Sequence, residues 1–125
     1  MTELNTAAPR DRGIAIAVAP NGGRRLKADH PALPISPVEL AECAVACLDA
    51  GASMIHVHVR DDDGRHSLDV ERYRAAIAAI RARVSDRLII QVTTEALGLF
   101  KPAEQIDLVR VLRPEACSIA LREIA

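Results

Sequence analysis

The sequence predicts a parallel α/β fold, half of a (β/α)8 barrel with four strands and three helices. Three observations carry this. Short apolar runs alternate with amphipathic stretches along the chain, the pattern of repeated strand–helix units. Polar residues (Gln91, Thr93, Thr94 and Ser118) close the later runs, and barrel active sites form at strand carboxyl ends. The chain has 125 residues, against about 250 for a whole barrel.

The first strand is read at residues 14–19 (IAIAVA), a continuous apolar run expected to be buried on both faces. A loop over 20–34 follows, with turn chemistry at Asn21-Gly22-Gly23 and the cations Arg24, Arg25 and Lys27. Ser36 as N-cap, Pro37 in the first turn and Glu39 closing a capping box start a helix that runs to about Ala50, where Gly51 stops it. The second strand holds Met54-Ile55-His56-Val57-His58-Val59, and 60–64 (RDDDG) form a turn. A helix over 69–84 follows from Val70, Tyr73, Ile77, Ile80 and Val84 at spacings of three and four. The third strand is 88–93, the third helix 103–112 carries Ile106, Val109 and Leu112, and the fourth strand is 116–121. Right-handed crossovers permit an open doubly wound sheet or a barrel. The first turn lacks a GxGxxG fingerprint and no acidic residue closes the second strand, which argues against dinucleotide binding.

Composition narrows the function. Lys and Arg number 16 against 17 Asp and Glu, leaving no basic surplus for nucleic acid or an anionic membrane surface. Apolar residues are 50% and aromatics 2%, a profile suited to a helix-covered parallel sheet. No run approaches the roughly 18 apolar residues of a membrane span. Residues 1–13 are polar and lack a signal-peptide core; they are expected to be a flexible leader to a domain over 14–125. Cys43, Cys47 and Cys117 form no CxxC, as expected of small core thiols in a reducing cytoplasm.

The chemistry centres on His56 and His58. Side chains two apart on a strand share a face, and two imidazoles on one face make half of a zinc site. The alternative is a pair of partly buried histidines satisfied by hydrogen bonds. Of the remaining histidines, His30 is expected to order the loop over the site, and His66 to be exposed behind the acidic turn.

Four stretches together resemble the β-keto acid cleavage enzymes. They are Lys27-Ala28-Asp29-His30-Pro31-Ala32-Leu33-Pro34-Ile35-Ser36-Pro37, His56-Val57-His58-Val59-Arg60-Asp61, Ile90-Gln91-Val92-Thr93-Thr94-Glu95, and 114–123 (PEACSIALRE). The resemblance runs from Ile14 onward and implies a zinc-dependent TIM barrel of which this chain is the N-terminal half. The implied reaction condenses a β-keto acid with acetyl-CoA, releasing acetoacetate and a new CoA thioester. His56 and His58 would then bind Zn2+, and Thr93 and Ser118 would contact substrate, each replacing a family hydroxyl residue with another. Arg24 stands where the family's type enzyme has a Glu suited to an ammonium group, so the keto acid is expected to be non-aminated and to carry a second anionic group. Glu123 is a candidate pocket carboxylate. The resemblance also implies a homo-oligomer. The family's third zinc ligand, a Glu on a later strand, and its neighbouring acid and Arg have no counterpart here. The chain alone is therefore expected to bind zinc weakly, to be inactive, and to be marginally stable, self-associating, or both. Two rival readings are a non-catalytic half-barrel or assembly module, and another zinc barrel such as an amidohydrolase. In amidohydrolases the His-x-His lies on the first strand, and the flanking motifs here do not fit.

Overall fold

A computed structural model describes residues 13–124. The expected leader, apart from exposed Gly13, lies outside the described residues. Four parallel strands form one sheet: β1 (Ala17–Val18), β2 (Met54–Val57), β5 (Ile89–Thr93) and β6 (Ala116–Ser118), in that spatial order. Each strand therefore pairs with the next parallel strand of the chain. A doubly wound sheet reverses its strand order, whereas a barrel does not; this is a half-barrel order. Helices α1 (Pro37–Asp49), α2 (Val70–Val84) and α3 (Pro102–Leu112) make the connections, with α1 packed on α2 and α2 on α3.

The register explains the two faces of the sheet. Ile55 pairs with Ile90, and Val57 with Val92; these four are buried together with Leu40 and Ala44 of α1 and Tyr73, Ala76, Ile80 and Val84 of α2. His56 pairs with Gln91, and Thr93 with Ser118, so the polar positions align on the opposite face. Tyr73 joins the two layers. Its hydroxyl lies 3.3 Å from the Val57 carbonyl and 3.2 Å from that of Thr93, tying the carboxyl ends of β2 and β5 together.

Helix α1 begins as the sequence predicts. Ser36 Oγ accepts from Glu39 N at 3.2 Å, and Glu39 Oε2 accepts from Ser36 N at 2.9 Å. Helix α2 is capped by Asp69, which accepts from Arg72 N at 2.8 Å. No helix among the described residues is long and apolar enough to cross a membrane.

Four expectations are corrected. The first run is not buried on both faces: Ile14 is 88% and Ile16 49% exposed, because β1 is a two-residue edge strand. Helix α3 turns Gln105 and Leu108 inward and leaves Ile106 42% exposed. Gln105 Nε2 donates to the Thr94 carbonyl at 2.6 Å, which offsets the burial of that nitrogen, while Oε1 has no partner among the described residues. The last strand stops at Ser118, and the chain winds into α4 (Leu121–Ile124). Finally, the acidic turn closes an antiparallel hairpin of β3 (Val59–Arg60) and β4 (His66–Ser67). Asp61 Oδ1 accepts from the backbone N–H groups of Asp63 and Arg65 inside that turn, and Gly64 takes a φ of +79° there.

Candidate functional site

The site begins where β2 ends. His56 is half-buried and His58 buried, and their Nε2 atoms lie 3.1 Å apart. Two nitrogens on one tetrahedral zinc, each at about 2.0–2.1 Å, stand about 3.3 Å apart, so the pair fits a shared metal. The other nitrogens are also engaged. His56 Nδ1 is 2.7 Å from Gln91 Oε1, its register partner on β5. His58 Nδ1 is 3.4 Å from His66 Nδ1, and His66 Nε2 donates to the Glu95 carbonyl at 2.6 Å. Burial, foremost, pushes the His58 pKa down to about 3, with His66, His56 and Arg60 adding to the effect; burial also lowers His66.

His66 is therefore not exposed. It is 4% accessible, because the β3–β4 hairpin folds it back beside His58. The signal was present in the sequence: two short strand-like pairs flank an Asp-Gly turn. His30 stays exposed in the β1–α1 loop, where its backbone closes turns with Leu26 and Leu33.

Two buried polar side chains fix the β1–α1 loop over the histidines. The Asn21 amide accepts from His58 N at 3.3 Å and donates to the His58 carbonyl at 2.7 Å, while also reaching the Pro34 carbonyl at 3.0 Å. It pairs with the His58 peptide as a neighbouring strand would. The Arg60 guanidinium, 4% accessible, donates to the carbonyls of Asn21, Gly22, Arg25 and Gly64. Gly23 permits the close approach: a Cβ there would stand 2.8 Å from Leu97 Cδ1 and 3.2 Å from His58 Nδ1.

Thr93 and Ser118 come together at the ends of β5 and β6. Ser118 Oγ donates to Thr93 Oγ1 at 3.1 Å, and Glu95 N donates to the same oxygen at 3.0 Å. With both lone pairs engaged, Thr93 retains its hydroxyl proton to give. A cleft of about 300 Å3 is lined by His56, Thr93, Glu95, Ser118, Arg122 and Glu123 among others. Glu95 Oε2 stands 3.8 Å from His58 Nδ1. Glu123 faces the cleft but also braces it, accepting from Ala96 N and Gln105 Nε2, both at 3.1 Å. Arg24 stays exposed on the loop and is not among the lining residues. A larger cavity of about 410 Å3 touches Ile90, Arg81 and Glu115 at the amino end of β5, away from the barrel end where chemistry is built. Among the described residues no group of three or more His, Cys, Asp or Glu side chains is arranged to hold a metal.

A singly wound parallel sheet with hydroxyls, imidazoles and carboxylates at its carboxyl ends defines half of a TIM-barrel scaffold. The chain matches the beta-keto acid cleavage enzyme family over residues 13–125, and it belongs to that family. It is 41% identical over 86 residues to a 3-keto-5-aminohexanoate cleavage enzyme of Fusobacterium nucleatum, covering 69% of this chain and 32% of the relative. It is 34% identical over 105 residues to a 3-oxoadipate:acetyl-CoA acetyltransferase of Cupriavidus necator, covering 84% and 36%. A solved ternary complex of ObcA with a C4-CoA adduct and oxalate superposes with a TM-score of 0.47 at 23% identity, over 51% of this chain and 17% of that one. The chain thus spans about a third of the length of the curated relatives it matches.

Proposed function

We propose that the protein carrying this chain condenses a β-keto acid with acetyl-CoA. The acyl group of the keto acid passes to CoA, and its CH2–carboxylate portion joins the acetyl group as acetoacetate. Family membership supports the reaction class. The observation that carries the site assignment is the convergence of His56 Nε2 and His58 Nε2 at 3.1 Å beside two strand-end hydroxyls.

His56 and His58 would hold Zn2+, supplying two of the three protein donors that a catalytic zinc keeps. When bound, zinc supplies Lewis acidity for the enolate-like charge that develops in carbon–carbon cleavage. The chain's own residues do the rest of the binding. Thr93 directs its hydroxyl proton at the carboxylate end of the keto acid, and Ser118, which gives its own proton to Thr93 Oγ1, lines the same pocket and orients that hydroxyl. Asn21 and Arg60 hold the loop that closes the histidine side, so the substrate meets a preorganised wall. Arg24 on that loop favours a keto acid with a second anionic group over an aminated one, since a cation repels ammonium and attracts carboxylate. The two relatives named above are called after an aminated keto acid and a dicarboxylic one, so the family spans this choice. A homo-oligomer working in the cytoplasm completes the proposal.

Metal analysis with substrate profiling tests it. Purified protein is expected to carry zinc, and His56→Ala and His58→Ala each to lose it while remaining folded by circular dichroism. A folded wild-type protein that takes up no zinc defeats the metal assignment. Acetoacetate release is expected with dicarboxylic or neutral keto acids, and preference for 3-keto-5-aminohexanoate would sink the Arg24 assignment.

A further inference from the structure

We propose that His66 and Gln91 are positioning residues that lock His56 and His58 in a single tautomer, so that both Nε2 lone pairs face one point before any metal arrives. This rests on the reading of His56 and His58 as ligands, and it adds residues that the sequence reading either placed on the surface or noted only as polar.

The hydrogen bonds fix the ring protons from the outside inward. The Glu95 main-chain carbonyl can only accept, so His66 Nε2, 2.6 Å away, carries a proton. A neutral imidazole has one such proton, which leaves His66 Nδ1 as a bare lone pair. His58 Nδ1, 3.4 Å from it, must then supply the hydrogen. His58 Nε2 is bare in consequence. On the other side, Gln91 Oε1 accepts from His56 Nδ1 at 2.7 Å, and His56 Nε2 is bare for the same reason. Two acceptors now face each other at 3.1 Å. Two lone pairs at this separation repel unless a cation stands between them, so the hydrogen bonds prepare a site for one. A metal-ligating histidine commonly donates its second nitrogen to a fixed acceptor, which sets its tautomer and orientation.

Packing keeps His66 in this role. It is 4% accessible, and Phe100 stands edge-on to its ring with centroids 5.9 Å apart. A Cβ on Gly23 would lie 3.4 Å from its Cγ. The β3–β4 hairpin pairs Arg60 with His66, which returns the ring to the histidine face. The competing arrangement needs the Gln91 amide turned over, so that its nitrogen donates to His56 Nδ1 and His56 Nε2–H points at His58. Spectroscopy separates the two.

Long-range 1H–15N spectra of the metal-free protein read the tautomers directly. The expected result is protonated Nε2 on His66 and protonated Nδ1 on both His56 and His58; Nε2–H on either of the latter overturns the proposal. Zinc affinity, measured by competition with a chelator, then reads the consequence. His66→Phe, which removes the acceptor, is expected to weaken binding about 10–100-fold. His66→Gln, whose carbonyl oxygen still accepts, recovers most of the loss. Gln91→Leu weakens binding and Gln91→Glu keeps it. Affinity unchanged within twofold in both His66→Phe and Gln91→Leu overturns the proposal. If His66→Phe does not fold, the wild-type spectrum and the His66→Gln protein decide. Wild-type protein showing these tautomers but binding no zinc defeats the ligand reading and leaves the tautomer lock standing.

Discussion

The two faces of β2 are held by different physics. On one face Ile55 and Val57 meet Leu40, Tyr73, Ile80 and the paired strand in a dry aliphatic layer with almost no ring other than Tyr73. On the other, His56, with His58 just beyond the strand, meets Gln91, His66 and the Asn21 amide through bonds that each specify one atom. The first face is non-directional and area-driven, so it tolerates exchange among aliphatic side chains of similar volume. The second tolerates only replacements that keep the donor or acceptor in place, because other removals leave a buried or half-buried polar atom unsatisfied. One strand thus separates what makes the protein fold from what makes the site specific.

The largest expected loss lies on the apolar face. Ile55→Ala is expected to cost about 2–5 kcal/mol through lost transfer energy and a residual cavity. Urea unfolding reads that loss, while histidine tautomers of the folded protein stay unchanged. A change in tautomers would mean that the faces are coupled.

Acid acts first on the histidine face. The folded His58 pKa is about 3 against an ordinary value of 6.5. Between those values the unfolded chain binds a proton that the folded one refuses, so stability is full above about 6.5 and falls as pH drops toward 3. Glu39, at the start of α1, behaves differently. Its ion pair with Lys27, and then its bonds to the Ser36 and Ile35 backbone, hold its pKa at about 2 against 4.5, so its contribution is present above 4.5 and is lost as pH falls toward 2. Unfolding midpoints across pH should therefore decline in two stages, the site first. His58→Gln should shrink the upper stage to the part that His66, also lowered by burial, contributes, and leave the lower one; an undiminished upper stage would assign it wholly to another group.

The smallest effect belongs to the cap. Ser36→Ala should cost about 1 kcal/mol, measured as a lower denaturation midpoint without loss of zinc affinity. Loss of affinity would show that α1 orients the loop carrying Asn21.

Local chemistry made part of this molecule readable in advance. Ser36, Pro37 and Glu39 mark α1 within a residue of its start, and the spacing from Val70 to Val84 marks α2. Strand alternation puts His56 and His58 on one face without further information. The misses arise where a distant contact decides. Ile14 and Ile16 look like core residues, and only the absence of a neighbouring strand on that edge among the described residues exposes them. Gln105 looks like a surface residue until the Thr94 carbonyl is found above it. His66 is eight positions from His58 and meets it only because a hairpin closes between them. Arg60 is read as the end of a strand; that its guanidinium collects four carbonyls depends on two loops arriving together.

That last feature bears on how the mouth of the site opens. By grasping carbonyls from the β1–α1 loop and from the acidic turn at once, Arg60 makes a single jaw of two segments that are 35–39 positions from Arg60 on one side and 4 on the other. A jaw clasped in this way does not flap piecemeal. Opening on the histidine side therefore requires both segments to release together, and losing the Arg60 guanidinium would free them at once.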